Sequence, residues 1–167
     1  MENLRIMLEI IKTIKKLNIE QILQVYEESI LANAEQSSMG KRQAEDAFYA
    51  YLEDDFFRQP GAFYAVWKDM NTYQCALRME PYKDGLLLEA LETAPNARRK
   101  GYATALMKGT LDFLRGSENK IVYSHVDKRN KASLTLHQKC GFRIDADTAT
   151  YIDGTVTQNS YTLRCDL

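Results

Sequence analysis

Residues 86–114 read LLLEALETAPNARRKGYATALMKGTLDFL, and the fold prediction starts from this stretch. Its first eight residues, 86–93, are apolar apart from two glutamates and a threonine, which is typical of a buried strand. Pro95 and Asn96 end the strand, because proline lacks the amide that a neighbouring strand needs and both residues favour turns. After the basic turn RRKG, apolar residues recur at helical spacing: Ala103, Leu106, Met107, Leu111 and Leu114. The stretch therefore predicts a strand, a basic glycine turn and a helix.

The basic turn suits the capture of a phosphate group. The first amides of a helix have no partner within the helix and carry partial positive charge, so an anion can bind there. Gly101 has no Cβ and lets the backbone approach a bulky diphosphate, and residues 98–100 add positive charge and donors. The alternative is a solvated basic turn that only caps the helix. The turn contains neither G-x-G-x-x-G nor G-x-x-x-x-G-K-[ST], so it is not one of the usual nucleotide-binding loops.

Two segments carry motifs that resemble those of a known family. Arg98-x-x-Gly101-x-Ala103, between a predicted strand and helix, resembles the acetyl-CoA pyrophosphate signature Q/R-x-x-G-x-G/A of the GNAT N-acetyltransferase superfamily. Residues 130–142, NKASLTLHQKCGF, are similar to the later family segment N-x-x-[AS]-x-x-L-Y-x-K-x-G-F. The two motifs come in the family's order and at a family-like separation. The closest match covers residues 89–142, about a third of the chain.

The resemblance implies an α/β (mixed α+β) fold of the GNAT type, with a central mixed sheet of about seven strands flanked by about four helices. It implies one domain over residues 1–167 and the element order β-α-α-β-β-β-α-β-α-β-β. Periodicity and turn residues predict the bounds of the remaining elements. These are strands over 7–14, 62–68, 73–81, 121–126, 142–152 and 160–165, and helices over 18–30, 41–57 and 130–139.

The composition is that of an ordinary soluble globular domain. Hydrophobic residues make up 45% and charged residues 27% of the 167, and the net charge is −1. Nucleic-acid binding usually needs a basic face, so this charge gives it no support. No apolar run approaches the length of a membrane span, and the first residues lack the uncharged segment of a signal peptide. The three cysteines show no metal-type spacing, so we expect reduced thiols, a cytoplasmic location and no metal.

The resemblance implies where acetyl-CoA binds. In the family, the strand before the basic turn and the next strand splay apart, and the pantetheine lies between them. One backbone amide of the free strand polarises the thioester carbonyl. For Asn130, a plain helix N-cap is the alternative role, and both roles can hold together. The implied cofactor-binding residues are Leu91, Thr93, Arg98, Arg99, Lys100, Gly101, Tyr102, Ala103, Thr104, Asn130, Ser133 and His137.

His137 is the main departure from the family pattern, which usually has tyrosine at this position. The tyrosine is suggested to protonate the departing CoA thiolate. Histidine is shorter but can donate a proton, and its unperturbed pKa is about 6.5. Ser133 and His137 are four residues apart and share a helix face, so His137 points at the thiol if that face lines the cleft. A surface or core histidine is the alternative.

The base that takes a proton from the acceptor amine has several candidates. His125 lies five residues before Asn130, where some family members carry a glutamate that faces the acceptor. Glu89 and Glu92 are the rivals, and they lie on opposite faces of the strand unless a bulge intervenes. Burial raises the pKa of a carboxylate and improves it as a base. Water is the remaining candidate.

These residues predict an N-acetyltransferase that moves an acetyl group from acetyl-CoA to a primary amine of a small molecule or peptide by direct attack. The catalytic candidates are His137, His125 and Glu92. The alternative is a non-catalytic acyl-CoA-binding or regulatory module with the same fold, which the missing tyrosine at 137 suggests. A homodimer is compatible with the sequence, but the sequence specifies neither the oligomeric state nor the acceptor amine.

Overall fold

A computed structural model describes residues 6–167, so residues 1–5 of the predicted domain lie outside the described range. The strands are β1 (Ile6–Ile11), β2 (Phe63–Asp69), β3 (Thr72–Tyr82), β4 (Gly85–Thr93), β5 (Ile121–Asp127), β6 (Arg143–Ala146), β7 (Ala149–Thr150), β8 (Val156–Thr157) and β9 (Ser160–Asp166). The helices are α1 (Ile19–Val25), α2 (Glu27–Gln36), α3 (Lys41–Tyr51), α4 (Tyr102–Arg115) and α5 (Lys131–Lys139).

Seven strands form one mixed sheet in the order β1-β2-β3-β4-β5-β9-β6. Every neighbouring pair is antiparallel except β4 and β5, which are parallel. Helix α4 makes the crossover between these two strands, since parallel neighbours need a long connection. The predicted α/β fold with a seven-stranded mixed sheet is therefore confirmed.

The helices cover the sheet on both faces. Helices α1, α2 and α3 pack against one face, here called the α1–α3 face, where Tyr64, Val66 and Ala76 belong to the shared core. Helices α4 and α5 pack against the opposite face, here called the α4–α5 face. The apolar positions predicted for α4 supply its core contacts, and Leu106, Met107, Leu111 and Leu114 are all buried there.

Three element boundaries before β2 differ from the prediction. The helix expected over 18–30 is two helices, because the chain breaks at Tyr26 (φ −94°, ψ 14°) between α1 and α2. The second predicted helix ends as an α-helix at Tyr51 and continues as a wider turn over Leu52–Phe56. The strand predicted over 7–14 ends at Ile11. The count is five α-helices in the described residues, where the sequence suggested about four.

The predicted strand over 142–152 was too long. It divides into β6 and β7, and β7 pairs with the unpredicted β8 in a separate two-stranded sheet. At the division, the carbonyl oxygen of Thr148 accepts a hydrogen bond from Thr162 Oγ1 of β9, 14 residues away, at 2.7 Å. That carbonyl is therefore engaged by a side chain at the point where the chain leaves the main sheet. Among residues 6–167, no helix is both long and apolar enough to cross a membrane.

Candidate active site

Strands β4 and β5 separate part-way along their length. They pair only at Leu86 with Val122, Leu87 with Tyr123, and Leu88 with Ser124. Beyond Leu88, β4 runs on to Thr93 beside β3, and β5 runs on to Asp127 beside β9. The facing edges of the two strands then have no strand partner, so their backbone groups are available to a molecule that enters between them.

A bulge in β4 lies directly after the point of separation. Glu89 pairs with Arg78 and Glu92 pairs with Ala76, so two residues of β4 lie opposite one residue of β3. Ala90 has a φ of +52°, and its carbonyl oxygen accepts a hydrogen bond from Tyr26 Oη at 2.6 Å. The bulge places Glu89 and Glu92 on the same face, the α1–α3 face, because it shifts the alternation of side chains by one residue.

The predicted turn and helix follow β4, as expected. Gly101 is the N-cap of α4 in the left-handed conformation, with a φ of +81°, and Arg99 has a φ of +64°. A Cβ atom built on Gly101 would meet no atom within 4 Å, so the backbone at the helix N-terminus opens onto free space. No side chain caps this end of α4. The first amides of the helix are therefore free to bind an anion.

The basic side chains of the turn differ in their partners. Arg98 donates to both carboxylate oxygens of Glu28 on α2, at 3.2 Å and 2.7 Å. The salt bridges found among residues 6–167 do not include Arg99 or Lys100, and both side chains are exposed. Tyr102 Oη donates to Asp69 Oδ2 of β2 at 2.7 Å, so its hydroxyl is engaged there. Arg99 and Lys100 can therefore bind a phosphate without breaking an ion pair.

The remaining predicted cofactor residues are divided between the free arm of β4 and the two helices. Leu91 packs against the core of the α4–α5 face, and Thr93 Oγ1 donates to Cys75 Sγ at 3.4 Å. Because both side chains contact other parts of the protein, the backbone groups of Leu91 and Thr93 are the ones available to a ligand. Ala103 and Thr104 lie in the first turn of α4 and are half-buried. Asn130 caps α5, since its Oδ1 accepts a hydrogen bond from the Ser133 amide at 3.1 Å.

His137 is a core side chain in this structure, with 2% of its surface exposed. Its Nδ1 lies 2.7 Å from the carbonyl oxygen of Ser133, and its Nε2 lies 2.8 Å from Ser124 Oγ. A carbonyl only accepts, so Nδ1 carries the proton and Nε2 accepts from the Ser124 hydroxyl. Burial lowers the pKa of His137, and the Ser133 carbonyl opposes this effect. In this geometry the neutral ring has its one N–H proton bound to a carbonyl, and the role as an acid stays a prediction.

His125 lies on β5, one residue beyond the last pair with β4. Its ring packs edge to face against Tyr82 and Tyr151, at centroid distances of 5.4 Å and 5.5 Å. Burial lowers the pKa of His125, Lys83 lowers it further, and the Glu89 carboxylate raises it. Its Nε2 is buried and has no hydrogen-bond partner. A neutral imidazole with an unpartnered nitrogen can accept a proton.

Glu92 has a partner on α2, since Ser29 Oγ donates to Glu92 Oε1. Burial raises the pKa of Glu92, while the Ser29 hydrogen bond and the Arg98 charge oppose that rise. Two side-chain contacts reach α2 from this part of the chain: Glu92 of β4 contacts Ser29, and Arg98 of the glycine turn contacts Glu28.

Four side chains from three adjacent strands form a cluster, here called the buried polar cluster because each has a buried polar atom: Glu80 is buried, and Arg78, Glu89 and His125 are half-buried. Each has one buried polar atom without a hydrogen-bond partner, and these atoms are Arg78 Nε, Glu80 Oε2, Glu89 Oε1 and His125 Nε2. The Arg78 guanidinium packs over the rings of Tyr51, Phe56 and Tyr64 at 5.3 to 5.9 Å. Unpartnered buried polar atoms are rare in folded proteins, so their concentration at the strand separation indicates a functional site.

Arg78 and Glu80 are not among the site residues predicted from the sequence. Both lie in the segment LRMEPY of β3, where a charged residue at every second position of an otherwise apolar strand gives one face a polar stripe. That alternation is the signal that could have identified them. Groups of three or more residues suited to hold a metal ion are absent among residues 6–167.

Comparison with known protein families identifies the fold. The model of the acetyltransferase (GNAT) family matches residues 21–142. The chain belongs to this family. The match includes the strand separation, the glycine turn and α5, so the two motifs predicted from the sequence lie within the GNAT region. A comparison with curated protein sequences finds no match.

Solved structures of GNAT proteins share the fold over nearly the whole chain. The PaiA N-acetyltransferase from Thermoplasma acidophilum, in complex with coenzyme A, is 11% identical with a TM-score of 0.64, covering 96% of this chain and 99% of that one. The IAA acetyltransferase from Bacillus cereus is 16% identical with a TM-score of 0.62, covering 97% and 99%. The ribosomal-protein-S18-alanine N-acetyltransferase from Escherichia coli is 12% identical with a TM-score of 0.62, covering 96% and 94%. At these identities the likeness concerns the fold, and the acceptors named differ.

Proposed function

We propose that this GNAT protein is an acetyl-CoA-dependent N-acetyltransferase that acetylates a primary amine by direct attack. The observation that carries the proposal is the separation of β4 and β5 beyond Leu88 and Ser124. This separation creates two unpaired strand edges that lead to the open N-terminus of α4. The buried polar cluster lies at the same point of separation on the α1–α3 face. A cleft for the coenzyme and a set of proton-accepting groups therefore meet at one position.

The residues present fit acetyl-CoA. The first amides of α4 bind the diphosphate, and Arg99 and Lys100 add positive charge without losing an ion pair. Backbone groups of residues 91–93 pair with the pantetheine amides, and one backbone amide polarises the thioester carbonyl. Asn130 and Ser133 line the opposite side from α5. Acetyl-CoA supplies the thioester carbonyl that the amine attacks.

The acceptor amine reaches the carbonyl from the α1–α3 face. Glu89, at the point of separation, binds the incoming ammonium group as an ion pair. His125 follows the last β4–β5 pair on the neighbouring strand, and its unpartnered Nε2 accepts the proton that the ammonium loses. Glu92 lies further along β4 on the same face and holds α2 through Ser29. The nitrogen then forms a bond to the carbonyl carbon, the carbon–sulfur bond breaks, the thiolate leaves, and the nitrogen gives its second proton to water, which protonates the thiolate.

His137 has no part as an acid in this proposal. A thiolate is a modest base, so water can protonate it after it leaves. We assign His137 to holding α5 against β5 through Ser124, at the last residue pair before the strands separate.

The second candidate function is an acyl-CoA-binding module without catalysis. The observation that favours it is the core position of His137, because the residue at the family's usual acid position has both ring nitrogens bound within the protein. Such a module would bind acetyl-CoA and transfer nothing.

One pair of measurements separates the two functions. Calorimetry with acetyl-CoA, with ATP and NAD as controls, tests the coenzyme. Release of free CoA is then measured with a panel of primary amines that contains alkylamines, diamines, amino sugars and short peptides. We expect binding of acetyl-CoA alone and CoA release with at least one class of amine. Binding without turnover on any amine would support the module, and no acetyl-CoA binding would refute both functions.

A further inference from the structure

Glu80 is a buried carboxyl group for which the mechanism above has no use. It is 3% exposed and lies on β3 opposite Leu87 of β4. Glu89 lies two residues further along β4, toward the separated ends of the strands. Glu80 therefore lies further than Glu89 from the separated ends of the strands.

A single proton shared by the two glutamates would account for the unpartnered oxygen of each. Glu80 Oε2 and Glu89 Oε1 are both buried without a hydrogen-bond partner. A carboxylate only accepts hydrogen bonds, so two ionised groups cannot satisfy one another. One proton on Glu80 turns its hydroxyl into a donor to Glu89. Arg78 does not replace this proton, because its Nε lies 3.6 Å from Glu89 Oε1 and makes an ion pair without a hydrogen bond.

The groups around Glu80 favour its protonated form. Burial is the largest cause, and the hydrogen bond and charge of Glu89 on β4 add to it, which raises the pKa of Glu80 to about 8. Arg78 on its own strand and Gln59 after the wide turn oppose this rise. Tyr51 of α3 faces the same carboxyl and is neutral, since burial raises its pKa to about 12. The balance among these groups leaves the pair with one proton at neutral pH.

We propose that Glu80 and Glu89 hold one proton between them, and that Glu80 thereby sets the charge that Glu89 presents to the acceptor amine. The inference rests on the proposed acetyltransferase function for its consequence, but the shared proton is a property of the protein alone. With the proton in place the pair carries one negative charge, and without it two. A cationic amine is bound more tightly by the second form, so its binding releases the proton. Glu80 is a positioning residue, because it touches Glu89 and not the acceptor.

The first test observes the proton directly, without any ligand. Side-chain carboxyl signals of 13C-glutamate-labelled full-length protein are followed by NMR from pH 5 to 10 in wild type, Glu80→Gln and Glu89→Gln. We expect one carboxyl in wild type to titrate near pH 8. This titration should be absent in Glu80→Gln and shifted to lower pH in Glu89→Gln, where the repelling charge is gone. Glu35→Gln, exposed on α2, is the matched control and should leave it unchanged.

The outcomes are distinct. Persistence of the alkaline titration in Glu80→Gln, or its absence from wild type, would overturn the proposal. If Glu80→Gln does not fold, the shift in Glu89→Gln decides alone, and an unshifted titration there overturns it.

The second test measures the consequence for the acceptor. With the fastest amine of the panel, we expect the KM of wild type for the amine to fall about fivefold as the pH rises through 8, for one added negative charge close to the ammonium group. Glu80→Gln keeps the charge of the protonated form at every pH, so its KM for the amine should not fall as the pH rises. The substitution should change kcat less than it changes KM. Parallel pH profiles in the two proteins would overturn the role of Glu80. Absence of turnover with an intact carboxyl titration would contradict the acetyltransferase function and still support the shared proton.

Discussion

The glycine turn (residues 98–104) and the buried polar cluster (Arg78, Glu80, Glu89 and His125) lie near the same strand separation and are built in opposite ways. The turn is one continuous segment at the surface, and its binding groups are backbone amides that the left-handed Gly101 leaves open. The cluster is partly buried, with Glu80 innermost, and takes its members from β3, β4 and β5. A site made of backbone depends on a short local motif, whereas a site made of side chains depends on strand register. Substitutions in the glycine turn and in the cluster should therefore have different effects on activity.

The largest expected effect is on the glycine turn. Gly101→Glu should weaken acetyl-CoA binding about 1,000-fold, or about 4 kcal/mol, because the new carboxylate repels the diphosphate and a left-handed φ strains any residue with a Cβ. Calorimetry measures the loss. Gly154→Glu is the matched control, since Gly154 also has a positive φ of +87° in open space. Equal affinity in Gly101→Glu and wild type would refute the diphosphate site.

The cluster should show the converse behaviour. Glu89→Gln should lower kcat/KM for the amine about 100-fold, because the ammonium group loses its ion pair beside the proton acceptor. Its acetyl-CoA affinity should equal that of wild type. Steady-state kinetics and calorimetry on the same preparation measure both, with Glu35→Gln as the control. A matching loss of acetyl-CoA affinity would show that the two regions are not separate sites.

Substitution of His137 on α5 tests whether this residue takes part in catalysis or only stabilises the fold. His137→Ala should lower the free energy of unfolding by about 2 kcal/mol, because it leaves a cavity and removes the partner of the Ser124 hydroxyl. Denaturant unfolding measures the change, with the exposed Gln138→Ala on the same helix as the control. A role of His137 as the acid, which is one expectation from the sequence, would instead lower turnover more than acetyl-CoA affinity. A stable variant with greatly reduced turnover would restore His137 as the acid.

The smallest expected effect concerns the contact between the glycine turn and α2. Arg98 must leave Glu28 before it can bind a phosphate, so Glu28→Gln should raise acetyl-CoA affinity about threefold, as expected for an exposed ion pair. Glu27→Gln, whose partner is Lys41, is the control on the same helix. Unchanged affinity would indicate that Arg98 remains on α2 and that Arg99 and Lys100 supply the charge.

Much of the fold and, of the two regions compared, the glycine turn could be predicted from the sequence. The strand, turn and helix over residues 86–114 were predicted because each is encoded by local periodicity and by Gly101. The bounds that were wrong lie where distant contacts decide them. Tyr26 divides the predicted first helix and bonds Ala90, 64 residues away. The Thr148 carbonyl, at the division of the predicted strand, is bound by Thr162 of another strand.

The amino-acid sequence by itself determined the strand, the amide-lined turn and the helix over residues 86–114, because these follow from residue spacing within a single segment. Only the tertiary structure decided which side chains meet. The β4 bulge brings Glu89 and Glu92 to one face, and the register of β3 sets Glu80 further than Glu89 from the separated ends of the strands. Packing of α5 turns His137 into the core. A one-residue change in register reverses the face that a side chain occupies, and local spacing carries no information about that change.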